Sequence, residues 1–226
     1  MESRMSVETE MLLTLPEAAV VAGVTVRDIN RVIDEKLLPE RFYTLEGGRH
    51  LHVTACPLVG FYFRAAKALT SEERGLLIRR LSERIGPKMA RRPVARWRQS
   101  SRPADWTVND GFLTVSLWEF ATSAEDRRAK LAEAREAVVE DPNILDGTPV
   151  IRGTRIPAYD IAASVAAGLP RERIRSAYPS LDDRAIELAV IYAEATPPRG
   201  RPRRPVMLAP GARITSERKV ARRRLA

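Results

Sequence analysis

Residues 144–157, reading ILDGTPVIRGTRIP, constrain this chain more than any other stretch. Two apolar pairs, Ile144-Leu145 and Val150-Ile151, alternate with the turn-forming pairs Asp146-Gly147, Thr148-Pro149 and Gly153-Thr154. That grammar suits two very short strands joined by tight turns. Pro157 falls at the first turn of an amphipathic helix opening with Ala158 and Tyr159, where a missing N–H is tolerated. The stretch is therefore expected to be a rigid platform that presents Arg152 and Arg155 on either side of Gly153-Thr154. These two arginines are either solvated turn residues paired with carboxylates such as Asp146 and Asp160, or DNA-contacting cations.

Three helices follow in the pattern: 158–167 closed by Gly168, 170–177 closed before Pro179, and 181–195 closed before Pro197-Pro198. Asp141-Pro142, Ile144, Gly147, the run PVIRGTRIP at 149–157 and Tyr178-Pro179 closely resemble the domain of unknown function 433. The resemblance covers roughly residues 135–198. It implies a small helix-turn-helix unit, and many members are similar to the antitoxin halves of VapB-type toxin–antitoxin pairs, whose partner is a PIN-domain ribonuclease. The helix expected to read DNA in such a unit opens with Asp182-Asp183 and continues to Glu187, a poor face for phosphate. This unit therefore reads as a dimerisation or toxin-docking platform, with Ile186, Leu188, Ala189 and Ile191 in its core.

The N-terminal third has a different grammar. Thr14-Leu-Pro-Glu17 is a capping-box signature, Ala18 to Ala22 continue a short helix, and Gly23 ends it. Thr25 then caps a second helix, 26–37, with Val26, Ile29, Ile33 and Leu37 at helical spacing. Residues 41–45 and 49–53 alternate as strands around Glu46-Gly47-Gly48, a hairpin that serves as a wing. Helix, turn, helix and wing in this order resemble the DNA-binding module of MerR-like and excisionase-like regulators. The module is then expected to set Arg27, Asn30 and Arg31 in a major groove while Arg49 meets phosphate. Asp28, Asp34 and Glu35 on the same helix oppose this, so a winged helix kept for protein contacts is the alternative. His50, His52 and Cys56 lack a fourth ligand at metal-site spacing and read as wing residues rather than a metal centre.

Two further helices, 58–68 and 71–85, are expected to close the first domain. Residues 86–105 hold three prolines and six basic side chains, and read as a linker with Trp97 as its one aromatic. Beyond it, 106–108 and 112–115 form a second hairpin whose aromatic content must be covered by a homodimer partner or the neighbouring domain. A helix over 123–139, capped by Ser123 with Glu125 and Asp126 behind it, leads into the platform.

Charge separates the tail from the rest. The chain has a formal net charge of +9, and residues 199–226 carry ten basic side chains against Glu217 alone. With the basic linker included, the foldable parts are left net acidic. Positive charge carried on arms points to anionic partners, either phosphate or an acidic protein cleft. The PRGRP run at 198–202 resembles the core of an AT-hook. Val206, Met207 and Leu208 instead interrupt the basic run with an apolar anchor suited to a protein groove, and 213–225 has a weak helical pattern that could fold on binding. The resemblance implies that the toxin is neutralised by the C-terminal segment. The residue types there suggest that guanidinium groups of Arg199, Arg201, Arg203, Arg204 or Arg213 occupy its metal-binding carboxylates while Val206, Met207 and Leu208 fill a groove. A solvated basic tail with non-specific nucleic-acid affinity is the alternative.

The expected fold is mainly α with short β-hairpins: a winged helix-turn-helix over 1–85, a linker over 86–105, a hairpin, connecting helix and three-helix unit over 106–198, and an extended tail over 199–226. From the single cysteine, the lack of an apolar run of membrane-spanning length and the lack of a charged-then-apolar leader, the protein is expected to be cytoplasmic. With no phosphate-cradling loop, nucleophile elbow or paired metal ligands, it reads as a non-enzyme without cofactor or metal. The resemblance implies a PIN-domain ribonuclease as partner, and operator DNA and a homodimer are expected beside it.

Overall fold

Local capping decides where the first helices begin. In the computed structural model, which describes residues 12–89, 102–110 and 113–198 (side chains at 86–89 and 110 excepted), α1 (Leu15–Ala22) opens as its sequence requires. The Glu17 carboxylate accepts the Thr14 N–H at 2.9 Å, satisfying a donor that no helical carbonyl can reach. Gly23 ends the helix at φ 69° and sends its N–H to Ala19 O at 2.9 Å. Thr25 then caps α2 (Val26–Asp34): its Oγ1 accepts the Asp28 N–H at 3.1 Å, and Asp28 Oδ2 accepts the Thr25 N–H at 3.0 Å. This helix stops three residues short of the span expected from periodicity. Lys36 turns left-handed at φ 50° and lets the Leu37 N–H close on Val32 O at 2.9 Å.

The chain is mainly helical, with eight helices and three small sheets among the described residues. β2 (Tyr43–Thr44) and β3 (His50–His52) form the hairpin expected after α2, but shorter, because residues 40–42 wind into a 3-10 turn that buries Phe42. A strand that periodicity did not indicate, β1 (Leu12–Thr14), adds to β3 and gives a three-stranded antiparallel sheet of order β1-β3-β2. α3 (Cys56–Arg64) starts two residues early and passes into a 3-10 turn, while α4 (Ser71–Met89) runs beyond residue 85 into the stretch read as a linker.

β4 (Thr107–Asp110) and β5 (Leu113–Ser116) pair antiparallel with Val108 opposite Val115. Their cover comes from within the chain. Trp106 and Val108 are buried in the same core as Ile29, Leu51, Leu58 and Ile78. The helix that follows, α5 (Trp118–Ala137), begins five residues before Ser123, so that position is helix interior and caps nothing. Packing overrides the cap signal here: Leu117, Ala121 and Ala124 are buried in the first core, and only a helix starting at Trp118 places them on one face.

The platform differs from expectation in its strand partner. β7 (Val150–Ile151) pairs with β6 (Val138–Val139), not with residues 144–145. Leu145, Asp146 and Gly147 are all left-handed, at φ 48°, 55° and 79°, and such a run cannot join a ladder. Beyond it, α6 (Ala158–Ala166), α7 (Arg171–Ala177) and α8 (Asp183–Ala195) follow the expected order. Asp182 caps α8 by accepting the Ala185 N–H at 2.7 Å. A second core gathers Ala134, Val138, Ile161, Ile174, Ile186 and Ala189. The two cores meet along α5 and α8: Leu131 belongs to the first and Ala134 to the second, while Ala195 reaches back into the first.

Gly60 marks a close approach of α3 to α1, since a Cβ there would lie 2.9 Å from Ala22 O. Gly60→Ala is expected to lower stability by about 1–3 kcal/mol through overpacking against backbone, read as a fall in the urea midpoint at constant m-value.

Candidate functional site

The outward face of α2 and the β2–β3 hairpin form one assembled surface. Ile29, Val32 and Ile33 point into the core, which leaves Arg27, Asn30, Arg31 and Asp34 on the opposite side. Arg49, in the turn between β2 and β3, reaches back to this helix. Its Nη1 donates to Asn30 Oδ1 at 2.8 Å, and its Nη2 lies 2.9 Å from Asp34 Oδ1. Asn30 is held in turn by donating its Nδ2 to Val26 O at 3.1 Å. The hairpin is thereby tied to the helix at a defined angle. The same contacts spend charge: Arg31 pairs with Glu35 at 2.8 Å, so two of the three arginines already face carboxylates. Arg27 is exposed at the start of α2, beside Val26, which is 40% exposed.

The structure brings Asn30 and Arg49 together on this face, with Arg27 and Arg31 on the same helix. Arg152 and Arg155 lie elsewhere, on the platform. Arg152 donates its Nε to Glu136 O at 2.7 Å and its backbone N–H to Ala137 O at 2.8 Å. It thus satisfies the carbonyl end of α5, where a cation is favoured. Arg155 is exposed. Thr154 shapes the turn between them, donating to Ile151 O at 2.8 Å and accepting the Ile156 N–H at 3.1 Å. Residue patterning missed Asp34 as the partner of Arg49 and counted it only as a repellent of phosphate.

Cys56 and the two histidines do not form a centre. Cys56 is fully buried at the head of α3, and burial pushes its thiol up to about 12, which leaves it unreactive. The His52 ring sits 2.6 Å from Thr54 Oγ1, and burial lowers its pKa. No group of three or more His, Cys, Asp or Glu side chains able to hold a metal occurs among the described residues, and none of their helices is long and apolar enough to cross a membrane.

A second feature was not foreseen. Where α1 turns into α2, a trough of about 680 Å³ opens against α5 and α8, floored by Val20, Val24, Val165, Val190 and Ile191. A shallower depression of about 340 Å³ continues it between α6 and α8, over Ala162, Ala163, Ala166 and Ala193, and shares Val165, Val190 and Glu194 with the first. Arg127 of α5 fixes the trough to the α1–α2 turn by donating to Val21 O at 2.9 Å and Ala22 O at 3.2 Å. A Cβ at Gly23 would come within 2.9 Å of that guanidinium, so the glycine serves both the left-handed turn and the approach of Arg127. On the α8 rim, hydrogen bonds from Lys130 first and Arg184 second hold the Glu187 carboxyl below the usual range. The sequence signal for the trough was the run of small and branched apolar residues on the exposed faces of α6 and α8, which reads as core until the packing is known.

Arg199, Arg201, Arg203, Arg204, Val206, Met207, Leu208 and Arg213, the candidate toxin-contacting residues, lie outside the described residues, as does Trp97. Comparison with known proteins adds three findings. The family described as "Protein of unknown function (DUF433)" matches residues 138–193. The "Uncharacterized protein y4eO" of Sinorhizobium fredii is similar throughout, with 52% identity over 224 residues that cover 99% of each chain. No solved structure matches.

Proposed function

We propose that this chain, which belongs to the same family as y4eO of Sinorhizobium fredii, is the antitoxin of a toxin–antitoxin pair. Its folded body holds operator DNA through a winged helix-turn-helix made of α1, α2 and the β2–β3 hairpin. Its tail neutralises a PIN-domain ribonuclease. The observation that carries this reading is the disposition of charge. Arg31 and Arg49 on the DNA-facing surface are each paired with a carboxylate, whereas residues 199–226 hold ten basic side chains and one acidic. A chain whose strongest cationic element is a separate arm is suited to entering an acidic cleft. Guanidinium groups from Arg199, Arg201, Arg203, Arg204 or Arg213 then occupy carboxylates that a catalytic metal would need, and Val206, Met207 and Leu208 fill an adjoining groove. Bidentate arginine–carboxylate pairs in a partly dry site are much stronger than exposed ion pairs.

The deciding experiment is co-expression with the neighbouring open reading frame. Co-purification of a small nuclease together with loss of its toxicity is expected. A chain that binds no such protein but binds DNA by itself with a steep salt dependence would replace this reading by the second one, a free-standing winged-helix regulator with an AT-hook-like tail. One contact favours that second reading: the Arg49–Asn30 bond, which makes helix and hairpin a single preset surface.

Both readings make the same prediction for the folded face. Arg27→Ala is expected to weaken operator binding and lower the salt slope by about one unit. Arg49→Ala should weaken it more, because Asp34 is then left to face phosphate. Asp34→Asn introduced with Arg49→Ala should restore part of the loss. Fluorescence anisotropy at several salt concentrations checks all three.

A further inference from the structure

The trough beside the α1–α2 turn has no role in the function just proposed. The geometry points to one occupant: the apolar triplet Val206, Met207 and Leu208 of this chain's own C-terminal segment, seated between α6 and α8 when no partner is bound. The place where the described chain stops is the first reason. Ala193 and Glu194 of α8 are part of the trough wall, and Ala195 is buried in the first core. Thr196 O accepts the Tyr159 hydroxyl at 2.7 Å, and Tyr159 stands at the head of α6, the opposite wall. The chain is therefore held at the trough's own end, and Pro198 lies two residues further on.

Length is the second reason. Eight residues lead from Pro198 to Val206, and an extended chain of that length reaches up to roughly 27 Å, more than twice the roughly 10–12 Å width of a helix. The triplet can therefore fold back over either wall. Composition is the third. Within 199–226 it is the only run of three large apolar residues, and the trough offers valines, alanines and Ile191 in a space of the size that takes a few side chains. Charge agrees on the α8 rim, where Glu194 lines the trough as an acid that the arginines preceding the triplet could meet. The three cations that line the trough already have partners, Arg127 the carbonyls of α1, Arg171 the Asp183 carbonyl at 3.2 Å and Lys130 the Glu187 carboxylate at 2.5 Å.

The trough ends against Gly23, Val24, Thr25 and Val26, so a seated triplet lies next to the start of the DNA-facing helix. A nuclease that takes the same triplet must lift it away, and capture of a partner is thereby felt at α2. This inference goes beyond the proposed function and does not need it.

Disulfide trapping on the full chain without any partner tests it. Ala163 is exposed on the trough wall, so Ala163→Cys with Met207→Cys should fold, and the native Cys56 is buried and inert. The expected result is an intramolecular 163–207 disulfide that forms at a rate independent of protein concentration and at least tenfold faster than in a Glu72→Cys, Met207→Cys control. Hydrogen exchange should also show protection of the amides of 206–209 that Ala163→Arg removes. Disulfide-linked dimers would assign the trough to a second copy and overturn the inference, as would a rate equal to the control or protection unchanged by Ala163→Arg. Because no nuclease is present, failure here leaves neutralisation standing, and failure of neutralisation leaves this result standing.

Discussion

Under the proposed function, removing residues 199–226 is expected to abolish neutralisation of the co-expressed nuclease and to weaken its capture on the order of a thousandfold or more. Truncating one member of a buried, hydrogen-bonded charge pair costs about 2–5 kcal/mol, and the tail offers several such members at once. The body should stay folded, because the described residues between Leu13 and Ala195 already build two hydrophobic cores, and its melting temperature should fall only by what the triplet seated in the trough contributes. Alanine at Arg199, Arg201, Arg203, Arg204 and Arg213 in turn identifies the arginines that enter the site. Lysine at the same positions separates charge from shape, since an ammonium cannot make the paired contacts of a guanidinium. Rescue of growth is the measurement. A truncated chain that still rescues growth and still co-purifies would refute the mechanism, whatever the fate of the proposed DNA-binding surface.

The second large effect is on the fold. Trp106→Ala is expected to cost about 3–5 kcal/mol, a large share of the roughly 5–15 kcal/mol that holds a domain together. Trp106 is completely buried and is the largest fully buried side chain among the described residues. It sits where the chain enters the β4–β5 hairpin, and its carbonyl accepts the Leu117 N–H at 2.7 Å, just ahead of α5. Its loss should therefore free the hairpin and loosen the start of α5 together. Leu113→Ala, at a position 43% exposed on the same hairpin, serves as the comparison and should change stability by no more than about 0.5 kcal/mol. Equilibrium urea unfolding of both variants gives the numbers. A cost below 1 kcal/mol for Trp106→Ala would mean that the hairpin does not share the N-terminal core.

Much of the helical grammar was legible from residues close together in the chain. Thr14 with Glu17, Gly23, Thr25 and Asp182 each act within one turn of where they stand, and each ends or starts the helix that local chemistry assigns to it. Where local signals failed, a competing contact explains the failure. Ser123 has the acids of a helix start behind it, yet Glu125 is buried and forms a bidentate pair with Arg128 at 2.7 and 2.8 Å inside the helix. Residues 144–145 look like a strand, but the left-handed backbone at Leu145 and Asp146 hands the pairing with β7 to Val138 and Val139.

The candidate site was legible only in part. Arg27, Asn30 and Arg31 fall on one face because helical spacing puts them there, and no tertiary contact is needed to see it. That Arg49 closes on Asn30 and Asp34 could not be read from the sequence, since those contacts join residues 19 and 15 positions apart across a turn whose geometry decides the distance. The role of Arg152 was hidden for the same reason: whether an arginine in a turn meets anion or carbonyl depends on which helix ends beside it.

By itself the sequence determined the order of helices, the caps at Thr14 and Thr25 and the left-handed stop at Gly23, the two hairpins and the concentration of positive charge in the last 28 residues, because each of these depends on neighbours a few positions away. Tertiary structure alone decided that α5 and α8 are shared by both cores, that Arg127 joins α5 to the carbonyl end of α1 across more than a hundred residues, and that an apolar trough opens where they meet. A helix has one buried stripe in its sequence pattern, but which neighbours cover that stripe, and where they leave a gap, is settled only when all the helices compete for the same space.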